Sequence, residues 1–392
     1  MNAVIFSWSH PTNVVAGIAL ALGQALATLQ IQVNIIDCAD VDALRQAIQS
    51  DLISCDVAIS IGALPLNITL DGRPIYHSFG KKFYFYNLDN FFYDCFRVEN
   101  VHQFLTDSAT SVRLRMICGD LGTANLINDF APGRGIYMPY GGVFFPLRRH
   151  HESRQKRIAV VGNFGAGLAE SPVGYNFLDL VEDAPHFIPN NLLRKFAQIL
   201  ELPGSELNIL TIAQKLFRLS PTMLLGKEIS RYFSFLDTFQ KRRRRALAVK
   251  AIEGLPIDFF GSGWQDVAGG WQDVKFMNPV AWNEISVVCQ NYQVLLNFDS
   301  NWDHCIHDRV FTAVGSGCRV LTNKSDAISS FDWPYPVSIS VYDANSPQLY
   351  DLALDMFSCA PIGLNQLLHF RANNSWSMRA DRFLVPDLQS SV

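Results

Sequence analysis

The sequence predicts an α/β protein of two tandem doubly wound domains, and three observations lead there. The chain has 392 residues, 49% hydrophobic and 17% charged, which is enough apolar material for two cores and long for one. Apolar strand-like runs alternate with helical ones from the N-terminus onward, the pattern of parallel sheets. That pattern restarts immediately after Arg148–Lys156 (RRHHESRQK), the most polar run in the chain.

The first domain, residues 1–150, opens with a strand over Ala3–Trp8, a turn at Ser9–Asn13, a helix to about Leu29 and a strand over Gln32–Ile36, a βαβ unit. A helix near Val41–Gln49 leads to a strand at Val57–Ile61. Asn67–Tyr76 alternates around Asp71-Gly72 like a hairpin, and Phe83–Tyr86 reads as a buried strand. Helix Val101–Ala109, strand Arg113–Cys118, helix Leu121–Phe130 and strand Gly135–Met138 complete it. The second domain, 151–375, starts with the strand of Arg157–Asn163 (RIAVVGN) and carries a helical insertion over about 172–253. Strands follow at Ile257–Phe260, Val274–Phe276, Val294–Phe298, Arg319–Thr322 and Val337–Val341. Residues 376–392 form a C-terminal helix and a polar tail.

Composition narrows the function. A formal net charge of −4 argues against a surface that holds nucleic acid or anionic lipid by bulk charge, so any phosphate site is local. The eight cysteines are scattered with no C-x-x-C pair, which predicts reduced core thiols and a cytoplasmic setting. The apolar stretch Val14–Leu22 follows a strand and lacks a basic segment before it, which predicts a core helix and no integral membrane segment.

In open α/β sheets ligands bind beyond the C-terminal strand ends, so those positions carry the functional expectations. Gly162-Asn163-Phe164-Gly165-Ala166-Gly167 ends a strand in glycines that let backbone N–H groups approach a phosphate, although such glycines also make plain tight turns. Phe260-Gly261-Ser262-Gly263-Trp264 does the same with an aromatic that either lies along a base or sugar ring or caps the core. Asn297 and Asp299 close a third strand. The fullest pattern runs from His307 to Thr322. Val310, Ala313, Val314 and Gly317 fall at i, i+3, i+4 and i+7 as an inner helical face, with Asp308 and Thr312 on the opposite polar side. Arg309 stands at the helix start, where a guanidinium and free backbone N–H groups together hold a diphosphate.

The arrangement H-x-R-x-F-x-A-x-x-x-G-x-x-V-L-T from His307, after a strand ending in Asn297 and a G-x-G-W turn, resembles the CgeB-like, spore-maturation-type glycosyltransferases of GT-B fold. RIAVVGNFG, LPIDFFGSGW, FYFYNLDNFF and IYMPYGG carry the same likeness. The resemblance implies two Rossmann-like lobes facing across a cleft, with a nucleotide-sugar donor in the second. Gly162, Asn163, Gly261, Trp264, Asn297, His307, Asp308, Arg309 and Thr312 would surround that donor. The sequence departs from the related pattern at Thr312, where a glutamate would accept both ribose hydroxyls and a threonine cannot.

Transfer requires stabilisation of the leaving diphosphate and, for inversion, a base. Arg309 with His307 suits the first; the first lobe offers His10 and Asp89 for the second, each of which is also good turn chemistry. No metal is implied: Asp40-Val41-Asp42 starts a helix with Asp40 as its N-cap, and His304 and His307 lack a third ligand. No cofactor is implied either, because neither Gly-rich turn is followed by an acid placed for an adenosine ribose. Lys241–Arg245 (KRRRR) reads as a solvated helix face with one or two arginines turned to the cleft. The acceptor is open. Alternatives are a catalytically silent nucleotide-sugar-binding or scaffold protein, which the Thr312 departure keeps alive, and a nucleotide-sugar epimerase.

Overall fold

A computed structural model of the chain describes residues 1–8, 14–50, 55–70, 72–77, 82–88, 92, 94–95, 99–107, 113–147, 154–164, 190–201, 209–216, 218–224, 226–298, 304–333, 338–342 and 348–389. The first lobe holds β1 (Asn2–Ser7), β2 (Gln32–Asp37), β3 (Val57–Ile61), a hairpin of β4 (Thr69–Leu70) with β5 (Arg73–Pro74), then β6 (Lys82–Asn87), β7 (Leu114–Cys118) and β8 (Gly135–Tyr137). Its six-stranded sheet has the order β2-β1-β3-β6-β7-β8, and every pairing is parallel. The second lobe holds β9 (Gln155–Val161), β10 (Ile257–Phe260), β11 (Val274–Met277), β12 (Tyr292–Asn297), β13 (Arg319–Asn323) and β14 (Ile339–Tyr342). Its order is β11-β10-β9-β12-β13-β14, again all parallel. The inner strands β3, β10 and β13 are buried along their whole length, as strands covered on both faces must be, which is why they read as unbroken apolar runs.

Each predicted strand is present within two residues of its expected ends. Asp40 caps its helix as expected, its Oδ1 accepting the N–H groups of Asp42 at 3.1 Å and Ala43 at 2.9 Å. All eight cysteines are free and seven are buried. Among the described residues no helix is long and apolar enough to cross a membrane.

The helical insertion sits differently from its place in the chain. It leaves the second-lobe strand β9, yet Phe196, Ile209, Phe233, Leu236 and Phe239 pack into the core of the first lobe, with Phe233 stacked on Phe92 at 5.2 Å. The helix Lys227–Lys250 then carries Ala246, Ala248 and Val249 into the core of the second. A third apolar cluster joins the lobes directly, including Ile18 and Leu22 of the helix Val14–Thr28, Tyr86, Tyr140, Trp282, Phe311 and Trp376. The chain's end also returns to the first lobe: Tyr84 donates its hydroxyl to Asp387 at 2.6 Å, and Lys82 pairs with the same carboxylate at 3.5 Å.

Candidate functional site

The C-terminal ends of β9, β10 and β12 meet the start of the helix Asp308–Gly315. β9 is followed by Gly162 with φ 121°, and β10 by Gly261 with φ 149°. A Cβ on Gly261 would run into the Gly162 carbonyl, so the two turns can touch only because Gly261 lacks a side chain. Asn163 laces them together, its Oδ1 accepting the Ser262 N–H at 2.9 Å and the Ser262 hydroxyl at 3.1 Å. Trp264 is 1% exposed, stacked on Phe259 at 4.9 Å, and donates its indole N–H to the Gly162 carbonyl at 2.7 Å. Its ring is committed to the core, and what it gives the site is the shape of the turn.

Two guanidinium groups meet this double turn. Arg309 donates Nη1 to the Val161 carbonyl and lies against His307, with Nη2 3.3 Å from Nε2. Arg245, from the helix Lys227–Lys250, donates Nη1 to the carbonyls of Asn163 at 2.7 Å and Phe164 at 3.3 Å. Burial and then the charge of Arg309 lower Arg245 to about 10, so it remains a cation at neutral pH. A carbonyl orients a cation without neutralising it, so these contacts do not themselves cancel either charge.

His307 stands at the N-cap position of the helix, and its Nδ1 contacts Asp308 Oδ1. Asp308 Oδ1 also accepts the Arg309 N–H at 2.8 Å, and Oδ2 accepts the Trp282 indole N–H. Burial and Arg309 hold the imidazole below its ordinary range in spite of Asp308, so the ring is neutral near pH 7. Burial pushes the Asp308 carboxyl up, but His307, Arg309 and Trp282 outweigh it and keep the group ionised. A neutral ring between a carboxylate and a guanidinium turns Nδ1–H to the first and its Nε2 lone pair to the second. With His307 neutral, the Asp308 carboxylate is the anion that adjoins the Arg309 end of the helix. Asn297, 1% exposed at the end of β12, donates Nδ2 to Thr322 Oγ1 at 3.1 Å, and its buried Oδ1 has no partner among the described residues.

Several expectations are corrected by this geometry. The polar side of the Asp308–Gly315 helix is not open to ligand: Asp308 and Thr312 are 5% and 3% exposed, and Thr312 Oγ1 accepts the Val143 N–H of the first lobe at 3.0 Å. Gly317 lies beyond the helix, in a turn with φ 78°. Lys241–Arg245 is not a solvated face, since Arg242 and Arg244 are buried where the helix passes between the lobes and Lys241 pairs with Asp237 at 2.6 Å. His10, Asp89, Asp299 and Gly165–Gly167 lie outside the described residues. Sequence reasoning missed Asp120, at the end of β7, whose carboxylate accepts the Thr123 N–H at 2.7 Å and the His304 N–H of the other lobe at 3.0 Å. Its strand-end position was the available clue. Trp282 was also missed, because its partner Asp308 is distant in sequence. Among the described residues no three His, Cys, Asp or Glu side chains converge as metal ligands.

No family model matches the chain, and no curated protein matches it in sequence. Solved structures do. It is similar to AviGT4, a glycosyltransferase involved in avilamycin A biosynthesis, at 9% identity and a TM-score of 0.50, covering 99% of this chain and 97% of that one. It is similar to T4 phage BGT in complex with its UDP-glucose substrate at 12% identity and 0.51, covering 99% and 100%. An α-glucosyltransferase in complex with UDP and a 13-mer DNA matches at 10% and 0.51, covering 97% and 95%. The fold is GT-B. In the GT-B frame the two sheets are the two lobes, and the double turn with its arginines lies at the strand ends of the second. That neighbour holds DNA, while net charge speaks for the whole surface of this chain and not for one face of a cleft.

Proposed function

We propose that the protein is a glycosyltransferase that moves a sugar from a nucleotide-diphosphate donor to an acceptor hydroxyl or side chain, without a metal. The observation that carries this reading is the Arg245–Arg309 pair astride the Gly162–Asn163 and Gly261–Ser262 turns on the second lobe of a GT-B fold. The UDP and UDP-glucose held by neighbours of the same fold support it. In this reading the two guanidinium groups take the charge of the leaving diphosphate, as a metal ion would elsewhere. Asn297 supplies an unmet acceptor at the strand end. His307 and Asp308 act behind Arg309, as a neutral spacer and the carboxylate that fixes its direction. Gly162, Asn163, Gly261 and Trp264 give the turn its form, and Thr312 secures the helix to the first lobe. Residues 1–150 form the acceptor side, with His10 and Asp89 as candidate bases, and 151–375 the donor side. The free, buried cysteines accord with a cytoplasmic setting.

A thermal-shift screen against UDP, GDP, CDP, dTDP and NAD tests the placement. One nucleoside diphosphate should stabilise the wild type by several degrees. Arg309→Ala should abolish that shift. Stabilisation by NAD alone, or by none of the five, would remove the donor site from this place.

A further inference from the structure

A cavity lies between the lobes. Its volume is about 420 Å³, within the range of small-molecule sites. The walls come from both lobes: Leu121 and Pro139 from the first, Ile306, Phe311 and Phe331 from the second, and Phe383 from the C-terminal segment. Arg379 lines the same space and is 6% exposed. Its Nε donates to the Tyr140 carbonyl at 3.1 Å, its Nη2 donates to Asn374 Oδ1 at 2.8 Å, and its carbon lies 5.0 Å over the Phe311 ring. Its Nη1 forms no hydrogen bond or ion pair among the described residues.

The Arg379 guanidinium is held by two neutral oxygens and faces the cavity with Nη1, and a charge largely out of water is stabilised by a counter-charge. We infer that this interlobe cavity binds a small ligand with an apolar or aromatic body and one carboxylate, the carboxylate meeting Arg379 Nη1 and the body lying against Phe311, Phe331 and Phe383. A carboxylate fits better than a phosphate, since one negative charge balances one guanidinium, and the Asp326 carboxylate, which lines the same cavity 3.8 Å from His304, opposes a second. The ligand touches both lobes and so stabilises their present arrangement. The inference stands apart from the donor reading, sharing with it only the helix that carries Arg309 and Phe311.

Isothermal titration of the full chain with phenylacetate and with its neutral amide, phenylacetamide, tests it. Phenylacetate should bind at least ~tenfold more tightly than the amide, a difference of about 1.4 kcal/mol. Arg379→Gln, which keeps a hydrogen-bonding head without charge, should erase the preference. Should that variant not fold, Ser330→Trp at the exposed rim fills the cavity from outside and should abolish phenylacetate binding. Equal binding of acid and amide, binding of neither, or phenylacetate binding that survives Ser330→Trp overturns the inference.

Discussion

At the scale of single residues, the site depends on a histidine kept neutral between two charges. The His307 imidazole is lowered by burial and by Arg309, so it takes up a proton less readily folded than unfolded. The unfolded chain therefore binds more protons once the pH drops below about 6.5, and the fold loses stability down to the folded pKa. Asp308, whose folded pKa is also depressed, adds a further loss only below the ordinary carboxylate range. His307→Asn retains a helix cap but not the titration, so its Tm should fall less than that of the wild type between pH 7.5 and 5.5. Parallel pH curves would show that the imidazole is not held neutral. The sequence showed that His307, Asp308 and Arg309 begin a helix. It did not show that the carboxylate faces Trp282, because that contact depends on how two segments of the second lobe, 26 residues apart, pack together and not on any spacing within the helix.

At the scale of elements, the strands were legible because burial on both faces writes them as continuous apolar runs. The insertion was legible only as helical, since amphipathic periodicity says that a face is covered and not by what. Phe233 shows the difference: it follows a second-lobe strand in the chain and is packed against Phe92 of the first lobe. Phe233→Ala should cost ~3–5 kcal/mol in urea unfolding, as loss of a buried aromatic does. The same change at Met223, which is 52% exposed in the same insertion, should stay within ~0.5 kcal/mol. Equal effects at the two positions would mean that the insertion does not share the first lobe's core.

At the scale of the whole molecule, the two lobes are joined by a shared apolar cluster, by the C-terminal segment on Tyr84 and Lys82, and by Thr312 on Val143. Domains joined by so much common core should not melt separately. Scanning calorimetry should give one transition whose calorimetric and van't Hoff enthalpies agree; two resolved peaks would show the lobes to be independent.

The helix Lys227–Lys250 has 24 residues and so runs about 36 Å, with Phe233 and Phe239 fixed at one end, Val249 at the other and Arg245 between. It is seated in both cores at once, so the packing of the first lobe and the Arg245 contact with the Asn163 carbonyl are held by one continuous helix. A change that loosens Phe233 from the first lobe therefore reaches the guanidinium over the double turn without altering a residue of the second sheet.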